Sequence, residues 1–414
     1  MKIAFVTHTL IVGGAETYIL RKAEWLINAG NEVIILSEGG CFVDMLPKSI
    51  RHITISNISL PPYSLSQTKL NNVLNTIAEI LFREKVDVVE THNPYAAIYT
   101  LMSYSKSKRP FLLNVLLELS YDRNWELCKL TRILDKKGAY YTLTKQMNLY
   151  IEKRCHKNLT PIILPIPLND ASHNSVPYNS SNYILTVGRL ASDKMYLKYL
   201  IKDFGALLTK TAIDVTLVVV GDGALRNEID ALANNVNESL NREAVIILGT
   251  VVGKDLEALY ANCLLYVGVG TTLLLGASYA KPTIIASGIK DCQQYAYGFW
   301  GKIPEEDVNI MGGNSQMKGR QVSYESILSR FFQMSDKQKS ECGIVAHKLF
   351  SKHYDLNVIM EKWNEEYLRH SKRPVDKVLC RYAYVFYVLN IILYPIYQIY
   401  SLRKKIFGSY EKHK

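Results

Sequence analysis

YILTVGRLASDKMYLKYLIKDFGALL, residues 183–208, decides the fold. Its first residues, YILTVGR (183–189), read as a buried strand. LASDK is a short polar turn. From Lys194 to Leu208 apolar residues recur as Leu197, Leu200, Ile201, Phe204 and Leu208, one face of a helix. A strand passing to a helix through a tight turn is half of a parallel βαβ unit. Arg189 stands at the strand's carboxyl end, and Lys194 at the predicted helix start, where the dipole presents about half a positive charge. A lysine placed against that field implies a negative partner. A guanidinium fork and an ammonium beside free backbone N–H groups suit a diphosphate. The alternative is a pair of surface cations with no shared ligand.

The pattern continues downstream. VTLVVVG (215–221), AVIILGT (244–250), LLYVGVG (264–270) and PTIIAS (282–287) read as strands separated by helices near 224–234, 254–261 and 273–280. Upstream, KIAFVT (2–7), EVIILS (32–37), VDVVET (86–91) and PFLLNVLLE (110–118) alternate with helical stretches, of which 15–30 is the clearest. Near-continuous apolar strands between helices indicate parallel sheets covered on both faces. The stretch 161–183 is Pro-, Asn- and Ser-rich in its second half and reads as a linker. The expected organisation is therefore two doubly wound α/β domains, 1–165 and 183–350, joined by a linker at 166–182. A bracing helix (351–370) and a tail (371–414) follow. In such sheets ligands bind beyond the strands' carboxyl ends, so two units facing one cleft are expected.

A chain of 414 residues, 48% hydrophobic and 21% charged, can bury sizeable cores. Its seven cysteines form neither a CxxC pair nor a Cys/His cluster, so no metal site and no disulfide framework are indicated. The N-terminus, MKIAFVTHTL, lacks the apolar run and cleavage site of a signal peptide. Of the net charge of +11, +7 falls in residues 371–414.

Three further turns carry candidate chemistry. Gly13-Gly14 follows the first strand and opens a helix, either as an anion-binding turn or as a plain βα turn. GDGALR (221–226) has Arg226 where a dinucleotide fingerprint needs its third glycine, so Gly221 and Gly223 read as turn residues. Gly268, Gly270, Thr271 and Thr272 could wrap a phosphate or sugar with their backbone. Their bland reading is a glycine-rich turn.

Taken together, GGAE (13–16), GRLASDK (188–194), VVVGDGALR (218–226), ILGTVVGKDLEALYANCLLYV (247–267) and GASYAKPTIIAS (276–287) resemble the family 4 glycosyltransferases over roughly residues 1–370. The resemblance implies the GT-B fold, in which two Rossmann-like domains enclose a nucleotide-sugar and the sugar passes to an acceptor with retention of configuration. It implies that Arg189 and Lys194 neutralise the departing diphosphate, with neither metal nor cofactor. Gly13, Gly14, Gly188, Gly221, Gly223, Gly249, Gly268, Gly270, Thr271 and Thr272 are expected to line the nucleotide-sugar site. The sequence departs from the family twice. The E-x7-E carboxylates fall on Val267 and Leu275, the second being the usual ribose partner. The histidine near the donor sugar falls on Leu116, with Glu118 or Asp122 close enough to take a polar role. His8 and His92 end predicted strands, and His92 is a further candidate for sugar contact. These losses leave two readings, an active divergent transferase or a degenerate scaffold for a second glycosyltransferase.

Residues 382–402, YAYVFYVLNIILYPIYQIYSL, carry no charge and six tyrosines. Arg373, Lys377 and Arg381 precede them, and Arg403, Lys404 and Lys405 follow. Asn390, Pro395 and Gln398 interrupt the apolar run, so a helix lying in or dipping into the cytoplasmic leaflet is expected ahead of a full span, with a helix packed on another protein as the third reading. The aromatics are not interleaved with cations, so nucleic acid is not an expected partner. A lipid-linked acceptor in cell-surface polysaccharide or glycolipid synthesis would suit an enzyme peripheral on the inner face of the cell membrane.

Overall fold

The computed structural model describes residues 1–11, 13–122, 124–174, 182–286, 295–302 and 321–407; the side chains of Glu118 and of residues 402–407 lie outside that description, as do residues 175–181 of the expected linker. The chain divides into two compact units, one of Met1–Pro167 with Ile359–Lys414, the other of Leu168–Val358.

The first unit is built from β1 (Lys2–Val6), α1 (Gly14–Asn28), β2 (Glu32–Ser37), β3 (Arg51–Thr54), α2 (Gln67–Arg83), β4 (Val88–Thr91), α3 (Pro94–Ser107), β5 (Phe111–Val115), α4 (Trp125–Asp135), β6 (Tyr140–Thr142), α5 (Lys145–Cys155) and β7 (Ile162–Ile163). The seven strands pair in the order β3-β2-β1-β4-β5-β6-β7, all parallel. The strand expected over 110–118 stops at Val115, and Leu116 and Leu117 leave the sheet as a loop. Asn93 caps α3 by accepting from the Ala96 N–H, and Pro94 fits the first helical position, where no N–H is needed.

The second unit runs β8 (Tyr183–Val187), α6 (Tyr196–Lys210), β9 (Thr216–Val220), α7 (Arg226–Leu240), β10 (Val245–Gly249), α8 (Gly253–Asn262), β11 (Leu265–Gly268), α9 (Thr271–Ser278), β12 (Thr283–Ala286), β13 (Ala296–Phe299), α10 (Tyr324–Gln333) and α11 (Asp336–His353). Its order is β10-β9-β8-β11-β12-β13, and among the described strands β13 alone runs antiparallel, against β12. Leu197, Leu200, Ile201, Phe204 and Leu208 of α6 are all buried in the core, as their spacing predicts.

Two helices complete the first unit. The chain enters it within α12 (Leu356–Ser371), whose Trp363 and Tyr367 are buried. Next comes α13 (Lys377–Phe407), the expected membrane tail. Over Lys377–Ser401 it is long and apolar enough to cross a bilayer. One stripe of it, Leu379, Ala383, Phe386 and Asn390, is instead buried against the first unit, where α13 packs on α3. That stripe advances by four, three and four residues, the period of a helix face. Tyr384, Val385, Ile392, Ile396, Ile399 and Tyr400 remain exposed.

Candidate active site

In the second sheet β9 lies on one side of β8 and β11 on the other. The connections after β8 and β11 therefore diverge and open a crevice at the strands' carboxyl ends. Backbone bonds fix the turn after β8. Gly188 donates to Val220 O at 3.0 Å, Leu190 donates to Asp222 O at 2.9 Å, and Leu190 O accepts from Leu225 at 2.8 Å. Gly221 has φ +145, and a Cβ there would stand 1.9 Å from Gly188 O. At Gly223 (φ +151) a Cβ would stand 2.6 Å from Leu190 O. Both glycines let the turns after β8 and β9 touch, and the Gly221 N–H reaches Gly249 O at 2.7 Å.

Arg189 and Lys194 share this turn. Arg189 Nη2 lies 3.2 Å, and Lys194 Nζ 3.5 Å, from the same Asp193 Oδ2. The Arg189 side chain is 77% exposed and that of Lys194 24%. Lys194 does not open the α-helix, contrary to the sequence reading. It closes a 3-10 turn, Ser192–Lys194, and α6 begins at Tyr196. The Lys194 N–H bonds three residues back to Ala191 O at 2.8 Å, so the polar turn tightens before the helix starts. The negative group required beside the lysine is at hand as Asp193. Across the crevice, Gly268 ends β11 and Gly270 (φ +68) caps α9, with Thr271 exposed. The Thr272 hydroxyl donates to Val269 O at 3.0 Å.

The first sheet reverses order between β1 and β4. A buried cluster underlies that point. Lys22 Nζ donates to both Glu90 oxygens at 2.8 and 2.9 Å, Asn114 Nδ2 donates to Glu90 Oε1 at 2.7 Å, and the Tyr367 hydroxyl donates to Oε2. The Lys22 ammonium also sits 3.2 Å from the centroid of the Trp363 ring. Burial alone would raise the Glu90 pKa, but the Lys22 ammonium and the His92 ring outweigh it and hold the carboxyl below its usual range. Burial lowers Lys22 to about 8, which leaves it charged at neutral pH.

His92 is the next layer outward. Its Nε2 meets Glu90 Oε1 at 2.8 Å, its side chain is 2% exposed, and its Nδ1 has no partner among the described residues. Above it lies a cavity of about 840 Å³ lined by His8, His92, Asn93, Leu116, Leu117 and Trp125, by Glu126 of α4, and by Leu393, Ile396, Tyr397 and Tyr400 of α13. Gly13 and Gly14 start α1, and Gly13 O accepts from the Thr17 amide and hydroxyl at 3.1 and 2.8 Å.

Two family models match the chain: Glycosyltransferase Family 4 over residues 12–115 and Glycosyl transferases group 1 over residues 181–293, together just over half its length. The chain belongs to glycosyltransferase family 4. Solved GT-B glycosyltransferases share its fold. A glycosyltransferase from Rickettsia africae aligns with a TM-score of 0.67 and 18% identity over 90% of this chain and 99% of its own. HepE of Anabaena, solved with UDP, aligns at 0.63 and 13% identity over 89% and 100%. The lipopolysaccharide outer core galactosyltransferase WaaB aligns at 0.58 and 17% identity over 89% and 99%. No curated protein matches the chain.

In this family 4 chain the candidates fall into separate groups. Gly188, Arg189, Lys194, Gly221, Gly223 and Gly249 gather around the turns after β8, β9 and β10, and Gly268 to Thr272 at the end of β11. Gly13, Gly14 and His92 belong to the first unit. Glu118 lies on a 3-10 turn, Glu118–Tyr121, with its side chain outside the described residues. Leu275, on α9, is half-buried, and Val267 is fully buried. Sequence reasoning missed Glu126. Its spacing to Leu130 and Ile133 already placed an acid on the apolar face of α4.

Proposed function

We propose that this glycosyltransferase moves a sugar from a nucleotide-sugar to a lipid-linked acceptor at the inner membrane face, with Arg189 and Lys194 taking the charge of the departing nucleoside diphosphate. The observation that carries the reading is the convergence of both cations on one carboxylate oxygen at the switch point of the second sheet. Asp193 holds the two heads together, and the exposed guanidinium of Arg189 can turn to a ligand. In transfer the bond from the sugar's anomeric carbon to the diphosphate breaks, and its electrons leave on the phosphate oxygen. The acceptor hydroxyl bonds the same carbon on the same face and gives its proton to that oxygen. Cations fixed in advance lower the energy of this developing charge. No metal or organic cofactor enters the proposed reaction. HepE, solved with UDP and with UDP-glucose, supports UDP as the first donor nucleotide to test.

Arg189→Ala and Lys194→Ala should each lower kcat/KM for transfer at least about hundredfold, the scale of losing one preorganised donor to a transition state. Thermal unfolding should not change. UDP at a hundred times its Kd should stabilise the protein by about 2.7 kcal/mol. Retention of transfer by both variants would refute the assignment. A scaffold role for a second glycosyltransferase has one observation in its favour: Leu275 offers the ribose no acceptor. Its signature is absence of turnover with every nucleotide-sugar and co-purification with an active enzyme.

A further inference from the structure

We propose that the first-unit cavity binds the acceptor as an amphiphile, with a neutral sugar head between His8 and His92 and its hydrocarbon along α13. The inference rests on the lipid-linked acceptor reading above and gives it a place and a chemistry.

The cavity stands at the carboxyl ends of β1 and β4, the switch point of its own sheet. Its size suits a ligand of moderate mass. The polar end is built. Asn93 Nδ2 lies 2.9 Å from His8 Nδ1 and donates to Thr7 Oγ1 at 3.1 Å, while Asn93 Oδ1 accepts from Ala96. Asn93 is therefore fully engaged and orients its neighbour. With Nδ1 accepting, a neutral His8 carries its proton on Nε2. Burial lowers the pKa of His8, with Glu16 and Glu38 opposing, which favours that neutral ring.

His92 is the mirror case. Its Nε2 donates to the ionised Glu90, so in the neutral ring the unpartnered, buried Nδ1 is a lone-pair acceptor. One histidine offers a donor and the other an acceptor, and a hydroxyl requires both. The charged side chains facing this end are carboxyls, Asp122 and Glu126, and none of the described residues lining the cavity is Lys or Arg. Burial raises Glu126 to about 7, with the Asn390 amide opposing. Among the described residues a phosphate head has no counter-charge here, whereas a glycosyl head matches the lining.

The other end is apolar. Leu116, Leu117 and Trp125 face Leu393, Ile396, Tyr397 and Tyr400 of α13. This wall continues outside. Ile392, Ile396, Ile399 and Tyr400 follow helical spacing and are exposed, Ile396 by 59%. Ile396 and Tyr400 belong to both surfaces, so a hydrocarbon chain can leave the cavity along a continuous apolar track into a bilayer.

The test uses the full chain and n-alkyl β-D-glucosides below their micellar concentrations, with binding measured by calorimetry. Hexyl, heptyl and octyl glucoside should bind progressively more tightly, by about three- to fourfold per methylene if each is buried. Glucose and octyl phosphate should bind at least tenfold more weakly than octyl glucoside. Ile396→Glu, at an exposed position that the fold tolerates, should weaken octyl glucoside at least tenfold and leave UDP affinity unchanged. With [15N]histidine-labelled protein, the His92 Nδ1 resonance should shift on addition of octyl glucoside. Equal binding of glucose would overturn the hydrocarbon track, and equal binding of octyl phosphate the neutral head. An unaffected Ile396→Glu or an unmoved His92 resonance would remove the assigned residues. UDP affinity on the same preparations keeps the two readings apart. Its absence with alkyl glucoside binding intact counts against the donor reading alone.

Discussion

Lys22 and Glu90 lie 68 residues apart in sequence and 2.8 Å apart in space. Each is fully buried, so the pair holds only while both charges are present. Lys22→Met should cost about 3–5 kcal/mol in urea unfolding, the penalty of a buried charge left alone, and adding Glu90→Gln should recover most of it. A pair whose double variant is no more stable than Lys22→Met would not be coupled. Gly221→Ala tests the other unit. Its methyl group meets Gly188 O, and loss of about 1–3 kcal/mol or more is expected from overpacking, again read by urea unfolding. These two sites differ in legibility. Gly221 announces itself in GDG after an apolar strand, as a turn that is local in sequence. Lys22 looks like an ordinary helix cation, because its partner is chosen by the pairing of β1 with β4 and by the arrival of α12.

At the scale of the element, α13 shows how one stretch of sequence sustains two surfaces. Its uncharged run is visible at once, and the sequence alone favours a membrane helix. Asn390 then reads as an interruption. In the fold it is the last residue of the docked stripe, with its Nδ2 donating to Glu126 Oε1 at 2.7 Å. Burial raises Glu126 to about 7 from 4.5, with Tyr63 and Tyr95 neutral around it in this range. The folded state therefore binds more protons than the unfolded one between those values. Stability should fall as pH rises from about 4.5 to 7, by up to about 3 kcal/mol from this group, and stay low above. Glu126→Gln should abolish that share of the slope. Identical pH profiles for the variant and the parent, in urea unfolding from pH 4.5 to 8, would contradict the assignment. The docking was hidden because helical period shows that a face is covered and not what covers it.

Across the whole molecule, two α/β units were legible because most central parallel strands are buried on both faces and read as near-continuous apolar runs. The short strands β3, β6 and β7, and the antiparallel β13, left no such run. The glycine turns and the two cations were legible for the same local reason. The cavity was not, since its walls come from both ends of the chain. That closure has a consequence during synthesis. A ribosome has made Leu168–Val358 entire before it makes the segment that finishes the first unit. Until α12 emerges, Trp363 and Tyr367 are missing from the Lys22–Glu90 cluster. The later-made middle of the polypeptide can thus mature first. Residues 1–167 must wait, aided or shielded, for the stretch from Ile359 onward to be translated, so premature stop codons shortly after residue 358 should yield products whose defect lies in the amino-terminal unit, far in sequence from the truncation.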